Sequence, residues 1–430
     1  MTTVENEKLP SVLEGFDLTD QSQFARGFPH EVFGRLRAEA PVLWHPPGRT
    51  ADGEGFWVLS RYEDMREAAD NPVFSAQGGG GRAGGGTHID DLQTGVHAGV
   101  LINMIDDPRH ELIRNLVRPV VIRETVQARE PELRAIAADL VERAVAAGSC
   151  DFQQNISAPY AIQAIALILG APREDWPLLV KYGQTLAGFD ERNSGQITED
   201  ASKTAYAIYE YSKKLIALKR ADGASDGPID LMTVMAKAEL PAEADRPLTE
   251  YEREAFFCLL LLAGSEPPRN AMAAGVLALA QHPEQWQALR ADRSLLPGAI
   301  EEMMRWSSPT PYNRRTATED VTFRDAEIKA GEKITFWWAS ANRDSAVFTD
   351  PMTFDIRREH NPHLACGYGT HSCLGEQLAR IEIRLLLEEL LDRVERIEVS
   401  GEVRWAPSNK HTVTLQMPVT LTAAPTGQDA

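Results

Sequence analysis

Cysteine is scarce in this chain, with four in 430 residues, at positions 150, 258, 366 and 373. That number and spacing exclude the disulfide framework of small secreted domains. Cys366 and Cys373 also lack the spacing of a zinc motif. Basic residues are outnumbered, 44 against 63 acidic, for a formal net charge of −19. A nucleic-acid-binding surface needs basic stripes, so nucleic acid is excluded as a partner, and an anionic membrane surface is disfavoured. Long apolar runs are missing too: the longest, residues 256–263, is far too short to span a bilayer. Residues 1–8 have neither the basic start nor the apolar centre of a signal peptide. A reducing, cytoplasmic location without membrane attachment is expected. No flavin or nicotinamide fingerprint is visible, and the glycine-rich stretch 78–86 lacks the Lys-Ser/Thr ending of a phosphate-binding loop. It reads as a flexible loop or lid.

The patterning that is present is mostly helical with a smaller β region, an α+β balance that fits one domain over residues 1–430. Residues 1–40 read as a polar arm and a first helix, 41–44 and 56–62 as strands, and 62–71 as a short helix. Residues 75–103 form a loop, and 107–240 a helical region with a buried segment at 162–169. The more polar stretch 181–220, which contains Phe189, Tyr206, Tyr209 and Tyr211, suits a mobile cover over a pocket. Thr249 and Glu252 make a capping box that opens a central helix over 249–280. That helix is apolar all round at 256–263 and interrupted at 264–268. Strands are predicted at 321–323, 327–328 and 334–338, a last helix at 374–394, and a terminal hairpin at 413–421 bent at Pro418.

One stretch, residues 363–375, carries chemistry. Gly367 and Gly369 permit backbone angles and close approaches that a Cβ resists. Cys373 follows at the mouth of the predicted last helix, where unpaired N–H groups and the helix dipole favour an anion. A thiolate there is a metal ligand or a nucleophile. The plainer alternative is a turn with a buried free cysteine.

The run Gly367, Gly369, His371, Cys373 and Gly375, at alternate positions, resembles the haem-binding loop of the cytochrome P-450 family. Further matches lie in order upstream. Glu302 and Arg305, three apart on a helix, match that family's Glu-x-x-Arg element, with Arg358 as the later arginine and Arg357 as its neighbour. Taken alone, such an i, i+3 pair would be an ordinary surface ion pair. His110 and Arg114, one helical turn apart, resemble the pair that holds a haem propionate; Arg315 and His371 match the other two propionate ligands. The resemblance spans nearly the whole chain and is closest to soluble bacterial members.

It implies the single-domain P-450 fold, with haem b between the central helix and the helix after the cysteine loop. Cys373 would ligate the iron, whose thiolate favours O–O cleavage. His110, Arg114, Arg315 and His371 would anchor the propionates, and Gly367 and Gly369 would shape the loop. The implied activity is a monooxygenase that uses O2 and two electrons to hydroxylate a hydrophobic small molecule: a steroid, terpenoid, fatty or secondary-metabolite substrate. The implied partners are a ferredoxin and its NAD(P)H-dependent reductase, with Arg380 and Arg384 as a candidate docking face and a monomer as the default state. The pocket would be lined by Phe189, Ala263, Gly264, Thr310 to Tyr312 and His411, Thr412 and Val413, below the glycine-rich loop.

Two positions depart from the family. The central helix usually carries a threonine at the oxygen site; here the stretch Ala263, Gly264, Ser265, Glu266, Pro267, Pro268 retains the acid and puts proline in its place. Protons would then arrive through Glu266, Ser265, water or the substrate, and chemistry other than hydroxylation is open. Cys366 stands where the family has phenylalanine beside the thiolate, which alters packing there and offers a weaker competitor for the iron. The alternative function is a catalytically silent haem-binding relative that binds a ligand or recruits a carrier protein. A thiolate-haem sensor has no output domain to support it.

Overall fold

Buried apolar side chains separate into two clusters, one among helices and one against a sheet, and the cysteine loop lies along their seam. The computed structural model describes residues 9–187, 199–222 and 228–425, so Phe189 and part of the expected 181–220 cover lie outside the described residues. Among the described residues no helix is long and apolar enough to cross a membrane.

The helical cluster surrounds Ala158–Leu169, in which every residue except Gln163 is buried. An all-round apolar helix can only be stable when enclosed, and here it is packed on several sides by other helices. The capping box at Thr249 is present as expected: Thr249 and Glu252 satisfy each other's backbone N–H groups. Glu252 also accepts from Arg109 Nη2 at 2.7 Å, which ties this helix start to the residue beside His110.

The central helix expected over 249–280, with an interruption at 264–268, is two helices, Glu250–Ala263 and Glu266–Gln281. The prolines explain the restart. Pro267 and Pro268 occupy the first turn of the second helix, where N–H groups have no intrahelical acceptor anyway. In mid-helix the same pair would delete two backbone hydrogen bonds.

The second cluster covers a five-stranded sheet in the order Val42–His45, Phe56–Leu59, Lys333–Phe336, Asn313–Ala317, Phe74–Ser75. Ile334 is in register with Trp57 on one side and with Arg315 on the other, so Arg315 is fixed by a central strand. Trp337 seals the cluster against Phe33, with ring centroids 4.8 Å apart. Strand pairing stops at Phe336, and Trp338–Ala341 turns helical, shorter than the strand 334–338 expected.

Two further expectations are corrected. Residues 413–421 are not a hairpin: Thr414–Gln416 pairs with Arg404–Trp405, while Pro418–Ala423 lies between Val394–Val399 and Ser149–Asp151. Pro418 takes the first position of that middle strand, where its missing N–H is tolerated. The glycine-rich stretch 78–86 is not a free lid. Gly80, at φ 61°, packs so closely that a Cβ would come 2.1 Å from Gly331 N. Arg82 clamps the turn through Asp52, Glu54 and Asp91 at 3.1, 2.6 and 2.8 Å.

Candidate active site

Leu364 and Tyr368 of the cysteine loop pack on the sheet cluster, and Ala365, Cys366 and Leu374 on the helical one. Gly367 and Gly369 adopt φ of 69° and 74°, the left-handed region that favours glycine. Cys373 N–H donates to Cys366 O at 2.8 Å and closes the loop. The following helix is Glu376–Arg393 with Gly375 at its N-cap, so Cys373 lies just before the first turn rather than at the expected helix start of Leu374. Ser372 is the reason: it is extended (ψ 149°) after the tight turn Gly369–His371. The thiol of Cys373, which is exposed, is still held below its ordinary value, first by the Cys366 thiol and then by the Gly375 N–H and Arg114. The Gly375 N–H and Arg114 act on Cys373 itself, which favours Cys373 over Cys366 as the thiolate.

Beside that thiol the fold gathers arginine and histidine side chains from three places in the chain. His110 and Arg114 come from the helix Arg109–Val121, Arg315 from the strand Asn313–Ala317, and His371 from the loop itself. The His110 and His371 rings lie 4.1 Å apart. His371 is driven down to about 2, first by burial and then by Arg315, His110 and Arg114, and its Nδ1 is buried without a partner. Burial also lowers Arg315 to about 10. A dianionic ligand would pair with Arg114 and Arg315 and give the unpartnered His371 nitrogen an acceptor, and a thiolate beside it suits one iron. The donor set therefore fits haem: Cys373 for the metal, and His110, Arg114, Arg315 and His371 for the two propionates. Asp107, which motif reasoning missed, orients this cluster: it faces His110 Nδ1 at 3.0 Å and accepts from Thr370 Oγ1 at 2.7 Å.

Glu302 and Arg305 are fully buried on the helix Leu296–Ser307 and paired through two bonds of 2.7 Å, which overturns a surface ion pair. Arg358 joins at 3.2 Å, whereas Arg357 is exposed. Arg305 also donates to Asn342 O, Pro351 O and Thr353 O at 2.8, 2.9 and 3.0 Å. Asn342 in turn holds Leu364 N–H at 2.7 Å, so the buried pair reaches the cysteine loop.

A family model described as cytochrome P450 matches residues 122–422. The chain belongs to the cytochrome P450 family. It is 43% identical over 408 residues to a putative cytochrome P450 126 of Mycobacterium tuberculosis, covering 93% of this chain and 96% of that one. It is also 32% identical over 401 residues to linalool 8-monooxygenase of Pseudomonas putida, covering 92% and 96%. A steroid C26-monooxygenase of Mycolicibacterium smegmatis is 33% identical over 410 residues, covering 94% and 96%. Among solved structures, CYP108D1 from Novosphingobium aromaticivorans superposes with a TM-score of 0.83 at 28% identity, covering 97% and 99%. As a cytochrome P450 monooxygenase the protein is an oxidoreductase with haem b as its cofactor.

The other expected site residues cluster near the helix break. Ala263 is exposed and Gly264 half-buried, with Ser265 and Glu266 following. Gly264 serves packing: a Cβ there would lie 2.4 Å from Ile165 Cγ1. Thr412 N–H donates to Pro309 O at 3.0 Å, which brings Thr310 and Thr412 together, both half-buried. Tyr312 and Val413 are corrections, since each is only 2% exposed. Tyr312 belongs to the sheet cluster, its ring tilted against that of Trp337 with centroids 4.7 Å apart. Sequence reasoning also missed Arg269, which donates to Glu266 at 2.9 Å. The i, i+3 spacing that flagged Glu302 and Arg305 could have found it.

Proposed function

We propose that this cytochrome P450 hydroxylates an apolar terpenoid or steroid, within a wider class that includes fatty and secondary-metabolite substrates. The names of the linalool and steroid relatives support that class. The observation that carries the reading is the convergence of His110, Arg114, Arg315 and His371 beside Cys373. Bound haem supplies oxygen activation and the insertion of one oxygen atom into a C–H bond.

The chain's own residues do the rest. Cys373 holds the iron, with Cys366, Gly375 N–H and Arg114 favouring its thiolate. Two arginines and two histidines would set the orientation of the cofactor through its carboxylates. Pro267 offers no hydroxyl, and Ser265 Oγ donates to Leu262 O at 3.2 Å, so the proton route runs through Glu266, water or the substrate. Electrons come from a ferredoxin and an NAD(P)H-dependent reductase, to a monomer in the cytoplasm. Arg380 and Arg384 are poor docking charges, because Glu301 and Glu376 engage the first and Glu130 and Glu388 the second. Exposed Arg118 and Arg123 serve better.

The test is the reduced carbon monoxide spectrum, followed by a spin-state screen of terpenoids, steroids and fatty acids and product analysis with ferredoxin and reductase. A red-shifted Soret band, a spin shift and a hydroxylated product support the reading. Haem without thiolate ligation overturns it. NAD(P)H oxidation with no product from any spin-shifting compound favours the silent relative.

A further inference from the structure

The break in the central helix leaves few atoms that can move a proton. Pro267 and Pro268 carry neither hydroxyl nor N–H. Ser265 is buried, with its hydroxyl committed to Leu262 O. Glu266 remains. Its Oε1 accepts from Arg269 Nη2 at 2.9 Å, and its Oε2 lies 3.8 Å from His411 Nδ1.

The two partners differ in kind. Arg269 is buried one turn along the same helix, and a guanidinium does not release its proton in a protein. It orients the carboxylate. His411 comes from the C-terminal loop, its side chain is 18% exposed, and imidazole exchanges protons near neutrality. The loop is held in place by His411 N–H to Ser408 Oγ at 3.1 Å and Thr412 N–H to Pro309 O at 3.0 Å. The neighbouring Lys410 turns elsewhere, its Nζ donating to Thr87 O at 2.9 Å and Tyr312 O at 3.2 Å. Arg269 thus holds one oxygen of Glu266, and His411 faces the other.

We propose that His411 recharges Glu266 with protons during turnover, in place of the hydroxyl route that proline closes. The step rests on the reading of Glu266 as the acid at this site. Protonated His411 gives its Nδ1 proton to Glu266 Oε2, after a small side-chain rotation or through one water. The neutral imidazole is reprotonated from solvent, and no electrons move.

Two measurements on the haem-loaded protein separate this step from the underlying reading. In the reduced carbon monoxide form, isotope-labelled histidine signals are followed by NMR as pH is varied, with His411 assigned by its loss in His411→Gln. Glu266→Gln should move the His411 midpoint down by about one pH unit, because an opposite charge is removed. In turnover with a spin-shifting compound, His411→Gln should cut product per NAD(P)H by about tenfold or more, with peroxide released instead, and His411→Lys should recover part of it. An unmoved His411 midpoint overturns the proposal. So does full coupling in His411→Gln when Glu266→Gln is uncoupled. Full coupling in both variants removes Glu266 from the reading as well, while the NMR result still reports on the pair. A His411→Gln protein without its carbon monoxide band is replaced by His411→Asn in both measurements.

Discussion

Gly264 stands directly against Ile165: a Cβ built at position 264 would lie 2.4 Å from Ile165 Cγ1 and 2.5 Å from its Cδ1. The glycine lets the broken central helix approach the buried helix Ala158–Leu169. Gly264→Ala is therefore expected to destabilise the protein by about 1–3 kcal/mol through overpacking. Adding Ile165→Ala to Gly264→Ala removes the clashing atoms, so the pair should cost less than the sum of the singles. Thermal midpoints of the four proteins in this cycle check it.

The buried Glu302–Arg305 pair predicts a larger loss. Arg305→Leu leaves a carboxylate without its main partner at a fully buried position, at a cost of about 3–5 kcal/mol. Because Arg305 also holds the Asn342 carbonyl, and Asn342 holds Leu364, the cysteine loop should loosen too. The yield of haem-loaded protein and the thermal midpoint are the measurements, and an unchanged midpoint would contradict a structural role for the pair.

Arg315 should govern cofactor retention. It is fixed by its strand and buried beside His371 and His110, where a charge-assisted bond to a carboxylate is worth about 1.5–3 kcal/mol. Arg315→Ala is expected to release haem to apomyoglobin about ten- to a hundredfold faster than the parent protein. Folding, followed by far-ultraviolet circular dichroism, should change little.

Glu252 sets an acid limb of stability. Burial raises its carboxyl, but bonds from Arg246, Thr249 N–H and Arg109 overcome that and bring it to about 2, from an ordinary value of 4.5. A lowered folded-state value means the stabilisation is complete above pH 4.5 and is lost as pH falls from 4.5 towards 2. The amount at neutral pH is on the order of 3 kcal/mol. Glu252→Gln should lower the neutral-pH midpoint and flatten this limb; parallel acid profiles of parent and variant would refute the assignment.

Pro267→Thr restores a hydroxyl at the helix break. The residue lies in the first turn, where threonine is accommodated, so the midpoint should shift by less than about 1 kcal/mol. Product per NAD(P)H should rise if proline limits proton delivery. The same products at unchanged coupling would show that position 267 has no part in it.

Much of the site was legible because its signals are local. The alternating spacing of Gly367, Gly369, His371 and Cys373, and the three-residue step from Glu302 to Arg305, are properties of a turn and a helix. The capping box at Thr249 is equally local, and it formed as read. The helix restart at Glu266 was half legible: two prolines announced an interruption, but the close approach of Gly264 to Ile165 beside it is a long-range contact.

By itself, then, the sequence determined the thiolate loop, the buried ion-pair spacing and the mixed α and β character, since these follow from residue type and short-range period. Only the tertiary structure decided what long-range packing decides. It chose Arg358 over Arg357, enclosed Tyr312 and Val413, sent Thr414–Gln416 and Pro418–Ala423 to different sheets, and pinned Gly80 to Gly331. It also set His110 beside His371, and His411 beside Glu266. Those partners are far apart along the chain, and their charge and burial acquire meaning only when the two hydrophobic clusters close against each other.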